Sequence, residues 1–125
     1  MKGYIGNIEE KTLENENYRE VLFTGPNLQL VVMALEPGDE IGEEVHADHD
    51  QFIRFEAGEG EVLFDGEPTK VGDGDAIVIP AGTRHNVINT SLEAKLKLYT
   101  LYAPPEHEPG TLHPRKQDSV EDEGH

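Results

Sequence analysis

The groups in this chain that can hold a metal ion or move a proton gather in two short stretches. One is Glu44-Val45-His46-Ala47-Asp48-His49, and the other surrounds His85. The chain has six histidines, 26 acidic residues and no cysteine. Only nitrogen and oxygen donors are therefore on offer, and disulfides, thiolate metal sites and cysteine nucleophiles are excluded. Glu44 and His46 stand two residues apart, so on an extended segment both side chains project to one side. Asp48 shares that phase. A carboxylate beside an imidazole suits a divalent ion of intermediate hardness or a proton-transfer pair. Taken alone, His85 reads equally as a hydrogen-bonded core histidine, and Asp48 and His49 as a charged loop cluster.

The elements that position these groups read as strands. Hydrophobic residues make up 35% of 125 residues, with 13 glycines and 8 prolines, a mixture suited to short strands and tight turns. Period-two patterning predicts strands over 18–23, 51–57, 61–64, 76–79, 84–89 and 94–103. Residues 28–35 are apolar on both phases, as expected of a strand covered on both faces. Asp65-Gly66 between Phe64 and Glu67 is a two-residue hairpin signal. Only residues 8–17 suggest a helix, and weakly. Eight to ten strands at this spacing imply a closed all-β sandwich or barrel. Residues 1–27 form an N-terminal strand and extension, 28–103 the barrel, and 104–125 a proline-rich segment, which either packs across the barrel or leads into the tail, and an acidic, solvated and disordered tail.

Two spaced patterns sharpen this reading. Gly74, five residues, Pro80-Ala81-Gly82, two residues, His85, three residues and Asn89 resemble the second conserved motif of the cupin superfamily without departure. The first cupin motif runs glycine, five residues, His-x-His, three or four residues, glutamate, six residues, glycine. Here Gly38, Glu44, His46, Gln51 and Gly58 fit its spacing, with Glu44 at the first histidine and Gln51 at the glutamate. The resemblance covers residues 28–103 and implies a small single-domain cupin, a jelly-roll β-barrel of two antiparallel sheets.

It also implies one divalent metal ion (Fe, Mn, Zn, Ni or Co) on Glu44, His46, Gln51 and His85. The usual ligand count and single negative charge survive the two replacements, with one amide oxygen as a weaker donor. Asp48 and His49 then become substitute ligands or a general base, and Tyr102, on the inward phase, offers a hydroxyl to the cavity. Asn89 reads as structural. Phe52 and Arg54 point outward, where cupins commonly meet a second subunit, which implies a homodimer. His107 and His113 follow the last barrel strand as inert residues or as part of a lid.

A net charge of −16 repels phosphate backbones and anionic lipid, so nucleic-acid and membrane partners are not expected. No apolar run reaches membrane-spanning length and the start lacks a leader pattern, which leaves a cytoplasmic expectation. Because cupin folds host many reactions, the resemblance implies a class only: Lewis-acid chemistry on a small, oxygen-rich, metal-chelating metabolite. The alternatives are a phosphomannose-type sugar isomerase, an Fe-dependent dioxygenase, and a non-catalytic barrel binding a small ligand. Few basic residues lie on an inward phase (Arg54, Lys95 and Lys97 point outward), so a phosphate anchor is not evident.

Overall fold

The computed structural model describes residues 2–123. Its elements are α1 (Ile8–Glu14), β1 (Arg19–Thr24), β2 (Gln29–Leu35), β3 (Asp50–Ala57), β4 (Glu59–Phe64), β5 (Glu67–Gly72) and β6 (Ala76–Ile79). They continue with β7 (His85–Asn89), β8 (Leu96–Ala103), β9 (Leu112–His113) and α2 (Lys116–Glu123). A six-stranded sheet runs β6-β3-β8-β2-β1-β9 and a three-stranded sheet β5-β4-β7, with antiparallel pairing throughout. The all-β jelly-roll expectation is met, with two short helices added. None of the described helices is long and apolar enough to cross a membrane.

Local chemistry accounts for the corners. Asp65 and Gly66 take φ of 51° and 85°, the double positive φ that a type I′ turn requires. Gly58 has φ of 94°, and a Cβ there would lie 2.6 Å from the Lys95 carbonyl oxygen. The closing glycine of the first motif is thus the point where β3 leaves one sheet for the other. Asn89 staples a second corner: its amide donates to the carbonyls of Leu35, Glu36 and Ala94, and its oxygen accepts from Ser91 N–H. Its structural reading is confirmed.

Between the sheets, Met33, Leu35, Ile53, Phe55, Leu96 and Leu98 are fully buried. Each such side chain stabilises the fold by about 1.5–3 kcal/mol through burial. The other phase of β2, Val32 and Ala34, is buried as well, because α1 lies across β2, β8 and β3 on the outer face. Asn7 caps α1 by accepting from Glu10 N–H at 3.0 Å, and Thr12 is its one buried residue. A single buried position explains why this helix leaves so faint a periodic trace.

The C-terminal expectation needs correction. Of the two courses open to the proline-rich segment it takes the one across the barrel, and the part of the tail within the described residues is helical over Lys116–Glu123; residues 124 and 125 lie outside them. Past a cis Ala103–Pro104 peptide the chain crosses the barrel mouth, pairs β9 with β1, and ends in α2. Ser119 of α2 is 5% exposed and accepts a 2.8 Å hydrogen bond from Arg19 Nη1. A polar contact 100 positions away in sequence orders a stretch whose own composition offers no apolar face.

Candidate metal centre

Segment 38–46 runs beside β7 and brings the two halves of the site together. Ile41 N–H donates to the Val87 carbonyl and Asn89 N–H to the Asp39 carbonyl. Glu44 and His85 then exchange both backbone hydrogen bonds, at 2.8 and 2.9 Å. Opposed residues in such a pair send their side chains to the same face, and His46 follows on that face two residues later. Gly82 N–H, donating to the His46 carbonyl at 2.8 Å, fixes the end of the segment.

Glu44, His46 and His85 present one ligand atom each within 4.8 Å of one another. Donors about 2.1 Å from a shared ion stand at most about 4.2 Å apart, so small side-chain rotations carry this trio onto one ion. The unpaired atoms agree with that use. His46 Nε2, His85 Nε2 and Gln51 Oε1 are buried with no hydrogen-bond partner, a costly state for polar atoms in a core.

The tautomer and flip assignments follow from the neighbours. His85 Nδ1 lies 3.0 Å from the Thr83 carbonyl oxygen; a carbonyl only accepts, so Nδ1 carries the proton and Nε2 keeps its lone pair. Thr100 Oγ1 donates its one proton to the Phe52 carbonyl at 2.8 Å and therefore accepts from Gln51 Nε2 at 3.0 Å. The Gln51 carbonyl oxygen is left as a free donor atom. The residues gathered here, two imidazoles and one carboxylate, fit a divalent cation.

Electrostatics reinforce the trio. Burial pushes the Glu44 carboxyl up, but the imidazole of His46, His85 and Arg19 together outweigh it and hold Glu44 below its ordinary value. Conversely, the Glu44 carboxylate raises His46 against the opposing effect of burial. The two side chains approach to 3.7 Å. Tyr102, 3% exposed, stands edge-on to His46 with ring centroids 6.0 Å apart. Burial raises its phenol above the ordinary value, so it remains a protonated wall of the site.

The other expected residues fall differently. Asp48 is exposed and outside the trio. His49 is turned toward the crossing segment: Nδ1 lies 2.7 Å from the Pro104 carbonyl oxygen and Nε2 2.8 Å from Glu106. Glu106 also reaches within 3.7 Å of His46 Nδ1. His107 packs edge-on against Tyr102 at 5.2 Å, with burial and Arg19 lowering its imidazole to about 3. Arg19, Glu44, Glu106, Glu108, His107 and His113 line one cavity of about 250 Å³. Arg19 is one of the few basic residues on an inward phase, and it is not among the residues expected at the site from sequence. It is 4% exposed and sits in the cross-strand row of Met33, Leu98 and Phe55. Its shared phase with Val21 was the readable signal.

Comparison with known proteins agrees with this architecture. The family model described as "Cupin domain" matches residues 31–102. The chain is 44% identical over 125 residues to the uncharacterised protein YrkC of Bacillus subtilis (strain 168), spanning 95% of this chain and 67% of that one. It is also similar to the crystal structure of BH2720 from Bacillus halodurans, with 42% identity, TM-score 0.92, and 96% and 95% of the two chains covered. KdgF from Halomonas sp. aligns at 28% identity and TM-score 0.65, over 70% of this chain and 78% of that chain.

Proposed function

The chain belongs to the cupin domain family, and from that premise we propose that it is a divalent-metal enzyme acting on a small, oxygen-rich metabolite that chelates the ion. The observation carrying this reading is the pair of buried imidazole nitrogens that lack a hydrogen bond, His46 Nε2 and His85 Nε2, gathered with the Glu44 carboxylate beside a cavity of about 250 Å³. Glu44, His46 and His85 would hold a divalent ion, which would supply Lewis-acid polarisation of a ligand oxygen. Glu44 faces the cavity and can hold or pass a proton there. Glu106 and His49, joined at 2.8 Å, form a second carboxylate–imidazole pair at the rim. Tyr102 and His107 exclude water from the inner wall.

Metal content by mass spectrometry tests the reading: about one ion per chain is expected, with a rise in melting temperature when Mn, Fe or Zn is added. Protein that takes up no metal and whose melting temperature is unmoved by all three would overturn it. Oxygen uptake with a metabolite panel separates a dioxygenase from an isomerase or related Lewis-acid enzyme. Full metal occupancy without turnover would favour the non-catalytic ligand-binding barrel.

Protons should compete with the metal. His46 is raised by Glu44, so in metal-free protein the protonated pair stabilises the fold at low pH, and that contribution is lost as pH rises through the raised value. Metal binding needs the neutral ring and carries the opposite sign. Affinity is expected to weaken by about tenfold per pH unit for each proton displaced below that value, measurable by chelator competition from about pH 5.5 to about pH 8. An affinity flat across this range would remove His46 from the ligand set.

A further inference from the structure

Arg19 is a buried cation with a function unaccounted for. Its Nη1 is engaged by Ser119 Oγ at 2.8 Å and by His113 Nδ1 at 3.4 Å, and its guanidinium lies 5.2 Å from the Tyr18 ring. Nε is buried without an acceptor. Nor does any described carboxylate form an ion pair with it. Taking a guanidinium out of water is costly unless a counter-charge meets it. Three elements, β1, β9 and α2, nevertheless converge to hold this one in the wall of the cavity that Glu44 also lines.

We propose that Arg19 is the anion-recognition group of the site, holding a carboxylate of the small ligand whose other oxygens face Glu44, His46, Gln51 and His85. This deepens the metalloenzyme reading and rests on it for the second half of the ligand. Nε, which lacks an acceptor, lies on the side edge of the guanidinium fork that pairs with a carboxylate. Charge selects a carboxylate over a phosphate. Arg19 is the lone permanent cation lining the cavity, whereas Glu44, Glu106 and Glu108 are anionic there. His107, buried and beside Arg19, stays neutral. One positive charge balances a monoanion, and a dianionic phosphate would meet three carboxylates with too little compensation. The cavity volume fits a chain of a few carbons, so the ligand class is a small polyhydroxy or keto acid. The C-terminal segment accordingly builds half of the binding site.

Erythronate, erythritol and inorganic phosphate are suitable probes, being a polyhydroxy acid, its neutral alcohol and the competing anion. Calorimetric titration of Mn-loaded full-length protein is expected to show erythronate binding at least about tenfold tighter than erythritol, with phosphate no better than erythritol. Arg19→Gln should erase the preference while metal stoichiometry stays unchanged, and Arg19→Lys should keep part of it. Equal affinities for erythronate and erythritol in wild-type protein would overturn the proposal without any variant. So would a preference that survives in Arg19→Gln, or tighter binding of phosphate than of erythronate. Repeating the comparison on metal-free protein separates the two readings. A preference for erythronate there upholds Arg19 even where the metal assignment fails.

Discussion

His85→Ala is expected to lower metal content from about one ion per chain to below about 0.1, and to abolish the metal-dependent rise in melting temperature. The ring supplies a lone pair whose orientation is already fixed by Thr83, and it stands opposite Glu44 through two backbone hydrogen bonds. Alanine keeps those backbone bonds, so the barrel folds while the trio loses its best-ordered donor. An ion at a thousandfold excess over its dissociation constant stabilises by about 4 kcal/mol, and this is the shift that should vanish. His49→Ala supplies the contrast. His49 is tied to Pro104 and Glu106, so that variant should keep its metal. Gln51→Leu should fall between, with affinity reduced by about ten- to a hundredfold, because an amide oxygen contributes less than an imidazole. Full stoichiometry in His85→Ala would mean that the site lies elsewhere, whatever the fold.

The contrast between these residues also marks where reading the chain succeeds. Glu44 and His46 could be set on one face by a short-range rule, whereas His85 joined them only through the resemblance of its surroundings to the second cupin motif. Two residues on one face of an extended segment need only a count of two, and turn residues such as Asp65-Gly66 announce corners within a few positions. The strand Ala76–Ile79 is found where its periodicity put it for the same reason. Asp48 shares the phase of His46 yet ends up exposed, since that stretch is an irregular loop, not a strand. There the count of two loses its meaning.

What stayed hidden depends on distant partners. The 116–123 stretch is highly polar, and by composition alone it belongs in solvent. It is ordered around Ser119 and Arg19, which no local pattern connects. Arg19 was visible on the inward phase of its strand, but a charged residue on a core face looks like a mismatch until the cavity it serves is known. The inward polar residues Gln29, Gln51 and Arg19 all interrupt the apolar pattern of their strands, and each meets either the site or the segment that covers it. In this barrel, a broken pattern marks where the strands meet the candidate site and its cover.

Gln29→Leu should therefore do more damage than a single polar-to-apolar exchange suggests. Gln29 is fully buried, and its side chain makes four hydrogen bonds. Its oxygen accepts from Glu106 N–H at 3.1 Å and His107 N–H at 2.9 Å, while its amide donates to the His107 carbonyl at 2.7 Å and Thr24 Oγ1 at 2.9 Å. Three of these bonds hold the segment that carries Glu106 and His107 over the mouth. At about 1 kcal/mol net for each bond, Gln29→Leu should cost about 3–4 kcal/mol if the segment stayed buried unpaired. The chain can reduce that cost only by releasing residues 104–114 to water. Release separates Glu106 from His49 and opens the wall beside Arg19, so ligand affinity falls while Glu44, His46 and His85 still bind metal. Limited proteolysis should then cut within 104–114 far faster than in wild-type protein, at unchanged metal stoichiometry. A variant that resists cleavage and keeps wild-type stability would show that β9 and α2 hold the segment unaided.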